Sequence, residues 1–421
     1  MRILHTSDWH LGQHFMGKTR EQEHRLFIDW LLNTVKQKQV DALVIAGDIF
    51  DTGVPPSYAR SLYNQFIVEL QKVGSCQLVV LGGNHDSVAT LNESRSLLAC
   101  LNTTVIGAAS TDPESQIVVL NRANGKPGAV LCGIPYIRPR DVLVSHAGDS
   151  GESKQQALLA AMTEHYQAVY QQAEKKAKKL GLPIIATGHL TTVGGKLSES
   201  VREIYIGTLS AFPASAFPPA DYIALGHLHR GQTVSSHDHI RYSGSPIPLS
   251  FDESSGQKQV LLVDFDGESL SKVTPVDVPL FRKLASLKGD MDSLTAQLEK
   301  LASQKTEEQL TPWIEVVVEG DAWVSDLQNR IQDVTDNLPI EVLRVRRKRQ
   351  ESSSNLSRGD RETLAELKVA DVFARRLGNE ELGEKSGKAL SQAFQEIIAE
   401  IEEEKLLGSV IQKSIQEENA E

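Results

Sequence analysis

Along residues 1 to about 275, short apolar runs alternate with stretches whose apolar residues recur at helical spacing, the pattern of an α/β domain with a largely buried sheet. Leu26, Phe27, Trp30, Leu31 and Val35 share one face of a predicted helix between Thr19 and Gln39, and the continuous run Ala42-Leu43-Val44-Ile45-Ala46 follows as a strand. Two further stripes predict surface helices: Tyr58, Leu62, Phe66 and Leu70 within Pro56 to Leu70, and Leu91, Leu97, Leu98 and Leu101 within Val88 to Leu101. Near residue 280 the pattern changes. Phe281 to Leu287, Trp313 to Val318 and Ile340 to Val345 read as strands, and Met291 to Leu301 and Trp323 to Val334 as helices, which predicts a small separate α/β unit. Glu351-Ser352-Ser353-Ser354-Asn355 reads as a linker. Beyond it, Leu364, Leu367, Phe373 and Leu377 mark one amphipathic helix, and Leu390, Phe394, Ile397 and Ile401 mark another after the Gly378 to Gly387 break.

Composition narrows the class. The 421 residues carry 44 basic and 55 acidic side chains, a net charge of 44 − 55 = −11, and 40% are hydrophobic. A basic nucleic-acid-binding arm and a coreless acidic chain are both poor descriptions of such a protein. No apolar run reaches the ~18 residues of a membrane span, and Met1 to Asp8 turns polar too soon for a secretory signal. Cys76, Cys100 and Cys132 are odd in number and lack Cys-x-x-Cys spacing, which suits a reducing compartment. A cytoplasmic chain is predicted. From Glu380 to Glu421 there are eleven Glu and four Lys, a balance of 4 − 11 = −7, so residues 1 to 379 carry only −11 − (−7) = −4. The acidity therefore sits mostly in the tail and says little against a polyanionic substrate for the body.

One small pattern recurs: an apolar run, then a glycine or other small residue, then a metal-ligand side chain. Arg2 to Ser7 leads to Asp8-Trp9-His10, Ala42 to Ala46 to Gly47-Asp48-Ile49-Phe50-Asp51, and Leu78 to Leu81 to Gly82-Gly83-Asn84-His85-Asp86. Pro183 to Thr187 leads to Gly188-His189, and Tyr222 to Leu225 to Gly226-His227-Leu228-His229. In a mostly parallel sheet the carboxyl ends of the strands gather along one edge, which would bring these residues together. Asp8-x-His10 and His227-x-His229 each offer two ligands from one turn, provided the backbone stays extended. Imidazoles, carboxylates and an amide without thiolate suit Mn²⁺, Fe²⁺ or Zn²⁺ better than Ca²⁺. Eight ligand positions filled by seven residues, one carboxylate serving twice, make two metals rather than one. Paired metals suit in-line attack on phosphorus, so phosphoester hydrolysis is the expected reaction.

These motifs, in this order, resemble the calcineurin-like metallophosphoesterases. The flanks Leu4 to Gly12 and Gly244-Ser245-Pro246-Ile247-Pro248-Leu249-Ser250-Phe251 resemble more closely the SbcD-type nuclease branch of that superfamily. The resemblance implies a metallophosphoesterase β-sandwich flanked by helices over residues 1–275, a small α/β capping domain over 276–349, and a linker with carboxy-terminal helices over 350–421. It implies one metal on Asp8, His10, Asp48 and His229, and a second on Asp48, Asn84, His189 and His227. Asp48 would bridge. His85 resembles the family's histidine that contacts the scissile phosphate and protonates the leaving oxygen, while Asp51 and Asp86 are expected to orient a histidine or a loop. The resemblance further implies a Mn²⁺-dependent DNA exonuclease and endonuclease that docks its carboxy-terminal helices on an SbcC-like coiled-coil ATPase. It also implies a homodimer formed through helices near 56–70 and 88–101.

Other residues carry two readings each. Gly244-Ser245-Pro246 is a turn or a phosphate contact. Arg138 and Arg140 are ordinary surface or steer a DNA backbone, and the basic run Arg344 to Arg349 is a solvated strand end or, through Arg346, Arg347 and Lys348, a backbone contact. The five motifs alone also fit a phosphatase or phosphodiesterase acting on a small molecule or phosphoprotein, and a scaffold whose metals only hold the fold.

Overall fold

The computed structural model describes residues 1–143, 151–192, 211–234, 237–306, 309–319 and 324–347. The chain divides into two units, Met1–Lys348 and Arg349–Glu421. The second unit, with the predicted linker and both carboxy-terminal helices, lies outside the described residues, as does Lys348.

The first unit opens with β1 (Arg2–Thr6), a hairpin of β2 (His14–Phe15) and β3 (Lys18–Thr19), α1 (Glu21–Lys38), β4 (Ala42–Ala46), α2 (Ser57–Val73) and β5 (Gln77–Leu81). Then come α3 (Val88–Asn92), α4 (Arg95–Ala99), β6 (Thr103–Ile106), β7 (Ile117–Asn121), β8 (Pro127–Cys132), α5 (Pro139–Val142) and α6 (Gly151–Leu180). The body closes with β9 (Ile184–His189), β10 (Tyr222–Gly226), β11 (Gln232–Val234), β12 (His237–Tyr242), β13 (Gln259–Asp266) and β14 (Ser269–Asp277).

These strands form two sheets, β14-β13-β1-β4-β5-β6 and β11-β12-β10-β9-β8-β7. The strands β1, β4, β5 and β6 are mutually parallel, as are β8, β9, β10 and β12. Strand alternation explains why the runs are apolar at every position. Leu43, Ile45, Leu78 and Val80 face α1 and α2, while Ala42, Val44, Val79 and Leu81 meet Leu131, Ile185, Tyr222 and Ala224 of the other sheet. On the far side Ile184, Ala186, Ile223 and Leu225 pack with Leu158, Met162, Tyr166 and Val169 of α6. The result is a four-layer sandwich of helices, sheet, sheet and helix.

One local expectation changes. The stretch Val88 to Leu101 is two short helices, because the polar run Asn92-Glu93-Ser94 interrupts it: Ser94 sits at φ −106°, ψ 12°, and its carbonyl accepts the N–H of Leu98 at 2.9 Å to start α4. The long α6 adds to the elements predicted above: it buries Leu158, Met162, Tyr166 and Val169 and then the small Ala173 and Ala177, within a stretch rich in Gln and Lys. The stripe Leu62, Phe66 and Leu70 packs into the body's core, with Tyr58 against it.

After β14 come β15 (Arg282–Gly289), α7 (Met291–Ser303), β16 (Leu310–Val318), α8 (Val324–Thr335) and β17 (Glu341–Arg347). The three strands are parallel in the order β15-β16-β17. One face buries Ile314, Val316 and Val318 against Leu294, Leu298, Leu327 and Ile331. The other face brings Leu284 and Trp313 onto Phe15 and Phe251 of the body.

Candidate metal centre

All five motif segments lie at or just beyond the carboxyl ends of β1, β4, β5, β9 and β10, so both sheets feed one edge. The first two loops are stitched together by Asp8 N–H to Gly47 O (3.0 Å) and His10 N–H to Asp48 O (3.1 Å). The backbone there is not extended. Asp8 (φ 55°), His10 (47°), Asp48 (52°) and His227 (95°) all occupy the left-handed region, which costs roughly 1–3 kcal/mol each for a side chain other than glycine. The turn after β5 approaches so closely that a Cβ at Gly83 would lie 2.1 Å from Asp48 Oδ1.

These turns aim the side chains inward. Asp48, 1% exposed, places Oδ2 3.6 Å from His10 Nε2 and 3.2 Å from His189 Nε2. Asn84 Oδ1 lies 2.8 Å from His189 Nε2 and 3.0 Å from His227 Nδ1. Ligand atoms of Asp8, His10 and His229 lie within 4.8 Å of one another, and so do those of Asp48, His189 and His227. His10 Nε2 is buried with no hydrogen-bond partner, an orphan that a divalent cation would satisfy. The donor set of imidazole, carboxylate and amide oxygen fits divalent ions of the Mn²⁺, Fe²⁺ or Zn²⁺ kind.

The electrostatics of the cluster are strongly divided. Burial alone would strip the proton from His189, yet the Asp48 carboxylate beside it raises its pKa to about 9. Burial, reinforced by His189, depresses His227 to about 3. Burial also works against the charge on Asp48, but His189 and His10 outweigh it and hold the carboxyl well below its usual range.

Asp51 Oδ1 lies 3.1 Å from His10 Nδ1. Asp86 is buried and accepts the N–H groups of Ile49, Phe50 and Gly83 at 2.8–3.1 Å, tying the loop after β4 to the loop after β5. His85 donates its backbone N–H to Asp48 Oδ1 (2.9 Å), while its ring Nδ1 lies 2.7 Å from the Asp51 carbonyl. Burial, with His10 adding to it, lowers its pKa although Asp48 opposes the shift.

The basic residues scatter. Arg138 is 8% exposed, donates to the Asp86 carbonyl at 3.0 Å and lies over the Tyr136 ring, so it braces the site's loop from within. Arg140 is exposed beside Asp141. Arg344 and Arg346 both pair with the buried Glu315, Arg347 is exposed, and Lys348 lies outside the described residues. Sequence reasoning missed Glu253, whose Oε1 is 3.2 Å from His229 Nδ1, and Ser7, whose hydroxyl bonds Asp8 Oδ2. No spacing rule links Glu253 to its histidine. Only the flank of the Asp-x-His motif signals Ser7.

Residues 1–231 match the family model described as calcineurin-like phosphoesterase, and the chain belongs to that family. Residues 280–381 match a second model, described as type 5 capsule protein repressor C-terminal domain. Within the family, the chain is 55% identical over 394 residues to the D chain of the nuclease SbcCD of Escherichia coli (strain K12), covering 94% of this chain and 97% of that protein. It is 33% identical over 355 residues to the corresponding SbcCD nuclease chain of Rhodobacter capsulatus, covering 81% and 86%.

Proposed function

We propose that this chain is the nuclease subunit of an SbcCD-type complex, a Mn²⁺-dependent enzyme that hydrolyses DNA phosphodiester bonds. The observation that carries this reading is Asp48, a buried carboxylate shared between His10 on one side and His189 on the other. Asp8, His10, Asp48 and His229 would hold one cation, and Asp48, Asn84, His189 and His227 the other. Such a pair supplies Lewis acidity for the phosphoryl oxygens and activation of the attacking water. The protein's own part is to fix those donors in strained turns and to position His85. The Asp51 carbonyl accepts the Nδ1 proton of His85, leaving Nε2 for the substrate. Arrival of the phosphodiester's negative charge favours the imidazolium, which can then pass its Nε2 proton to the leaving oxygen.

The remaining assignments belong to the same proposal. Family-model matches at 1–231 and 280–381 support a boundary between body (1–275) and capping domain (276–349), and the division of the chain after Lys348 supports a separate partner-docking segment (350–421). The last of these is assigned to an SbcC-like ATPase. Homodimer contact near 56–70 and 88–101 is supported by Val54, Val68 and Leu97, which are 90%, 42% and 66% exposed. A cytoplasmic setting is consistent with the absence, among the described residues, of any helix long and apolar enough to cross a membrane.

The test is hydrolysis of linear duplex, hairpin and single-stranded DNA against a generic aryl phosphodiester, with each divalent metal, with and without the ATPase. DNA cleavage that depends on Mn²⁺ is expected, and His85→Ala should keep both cations while losing about 10²–10⁴-fold in rate. DNA left intact under every condition, with the aryl ester consumed, would replace this reading by a small-substrate phosphodiesterase.

A further inference from the structure

The Gly244-Ser245-Pro246 turn does not reach the cation pocket as a phosphate contact. Ser245 is fully buried, and its hydroxyl bonds the Ile247 carbonyl (2.9 Å), Glu253 Oε2 (3.3 Å) and Lys258 Nζ (2.8 Å). Gly244, at φ +77°, lets the turn press against the backbone that follows the last ligand: a Cβ there would lie 2.5 Å from Gly231 N and 2.8 Å from His229 O.

We propose that Glu253, clamped by Lys258 and Ser245, is the positioning residue of the cation site containing Asp8, His10 and His229: it accepts the Nδ1 proton of His229 and leaves Nε2 for the cation. The inference rests on the two-cation reading above. Glu253 Oε1 lies 3.2 Å from His229 Nδ1, and both residues are 3% exposed. A carboxylate only accepts, so the ring nitrogen facing it carries the proton and the other nitrogen keeps its lone pair. Glu253 cannot turn away, because Oε2 takes the Leu249 N–H at 3.1 Å and the Lys258 ammonium at 2.5 Å. The same ammonium donates to the His229 carbonyl at 2.9 Å. Lys258 thus grips the backbone of His229 and the carboxylate that holds its ring. A buried acid and base of this kind stabilise a fold no better than an apolar pair of similar volume, which directs attention to what the pair does for His229.

Two measurements on the full-length chain test this. Calorimetric titration with Mn²⁺ should find two ions in the unaltered protein. The pair Glu253→Met with Lys258→Met should melt within a few degrees of it, yet bind one of the two ions roughly 10–100-fold more weakly. Wild-type affinity at both ions in a folded double variant overturns the role. The second measurement needs no change at Glu253: long-range proton–nitrogen NMR of the Zn²⁺-loaded protein, with the His229 signal assigned from His229→Gln. A protonated Nδ1 is expected, and a protonated Nε2 overturns the proposal even if the variants fail to fold. One ion in the unaltered protein would defeat the dinuclear reading instead, leaving the affinity ratio and the tautomer to decide the part played by Glu253.

Discussion

The body and the small unit are built by the same device, parallel strands joined by helices, but their buried charged groups are used in opposite ways. In the body, four of the proposed ligand residues sit in left-handed turns, and charged side chains crowd a pocket where His10 Nε2 lacks a hydrogen-bond partner. In the small unit, no residue from Arg282 to Arg347 other than glycine has a positive φ among the described residues. Its buried acid Glu315 is matched by Arg344, Arg346 and the Ser286 hydroxyl, and Arg282 is matched by Glu23. A parallel sheet thus offers a metal site where the backbone accepts strain and leaves donor atoms for something other than the protein. Where side chains neutralise one another, as around Glu315, the buried charges are structural.

The contrast predicts effects of very different size. Asp48→Asn takes the shared carboxylate from both proposed ions and should abolish hydrolysis, a loss of at least roughly 10⁴-fold. Rate and metal stoichiometry measured on one preparation check it; an active variant with both ions would remove Asp48 from the centre.

The second effect concerns acid. The chain has no histidine beyond His239, so the small unit lacks any, whereas His5 is buried in the body, 2.9 Å from the Tyr222 phenolic oxygen, with its pKa lowered by burial to about 3. A histidine kept neutral by the fold contributes stability that is fully present above its unfolded value near 6.5 and is lost as pH falls toward 3. At pH 5 this one group should cost the body about 2 kcal/mol. Hydrogen exchange should therefore loosen in the body before the small unit as pH drops from 7 to 5, and His5→Asn should flatten the slope. Equal loosening of both regions would count against the assignment.

The smallest effect lies at Glu315. Its arginine partners are about half exposed, so Glu315→Gln should cost only about 1 kcal/mol in denaturant unfolding. Metal affinity and hydrolysis should not change. A loss of either would mean that the small unit reaches the centre through this cluster.

The strands that carry ligands are legible in the sequence because runs such as Ala42 to Ala46 are apolar on both faces, and the residue types after them admit little besides a mixed-donor metal site. The small unit is legible element by element for the same reason of periodicity. Val88 to Leu101 reads as one helix because leucine spacing does not register the break at Asn92 to Ser94. Arg138 reads as a surface group, yet it is buried under its own loop. Glu253 is invisible because it and His229 are brought together by a three-dimensional path through Gly244 and Lys258, with no periodicity in the chain to announce it.

Local chemistry along the chain is thus enough to determine the alternation of buried strands and amphipathic helices, the kinds of ligand and the reaction they suit. Tertiary structure alone decided that two sheets share one edge, that Asp8, His10, Asp48 and His227 adopt left-handed turns, and which carboxylate faces which imidazole. The physical reason is that hydrophobic periodicity is a property of neighbouring residues. Orientation and protonation at the centre depend instead on groups up to 219 residues apart, as in the bond from His227 N–H to Asp8 Oδ1, which exist only once both sheets have packed.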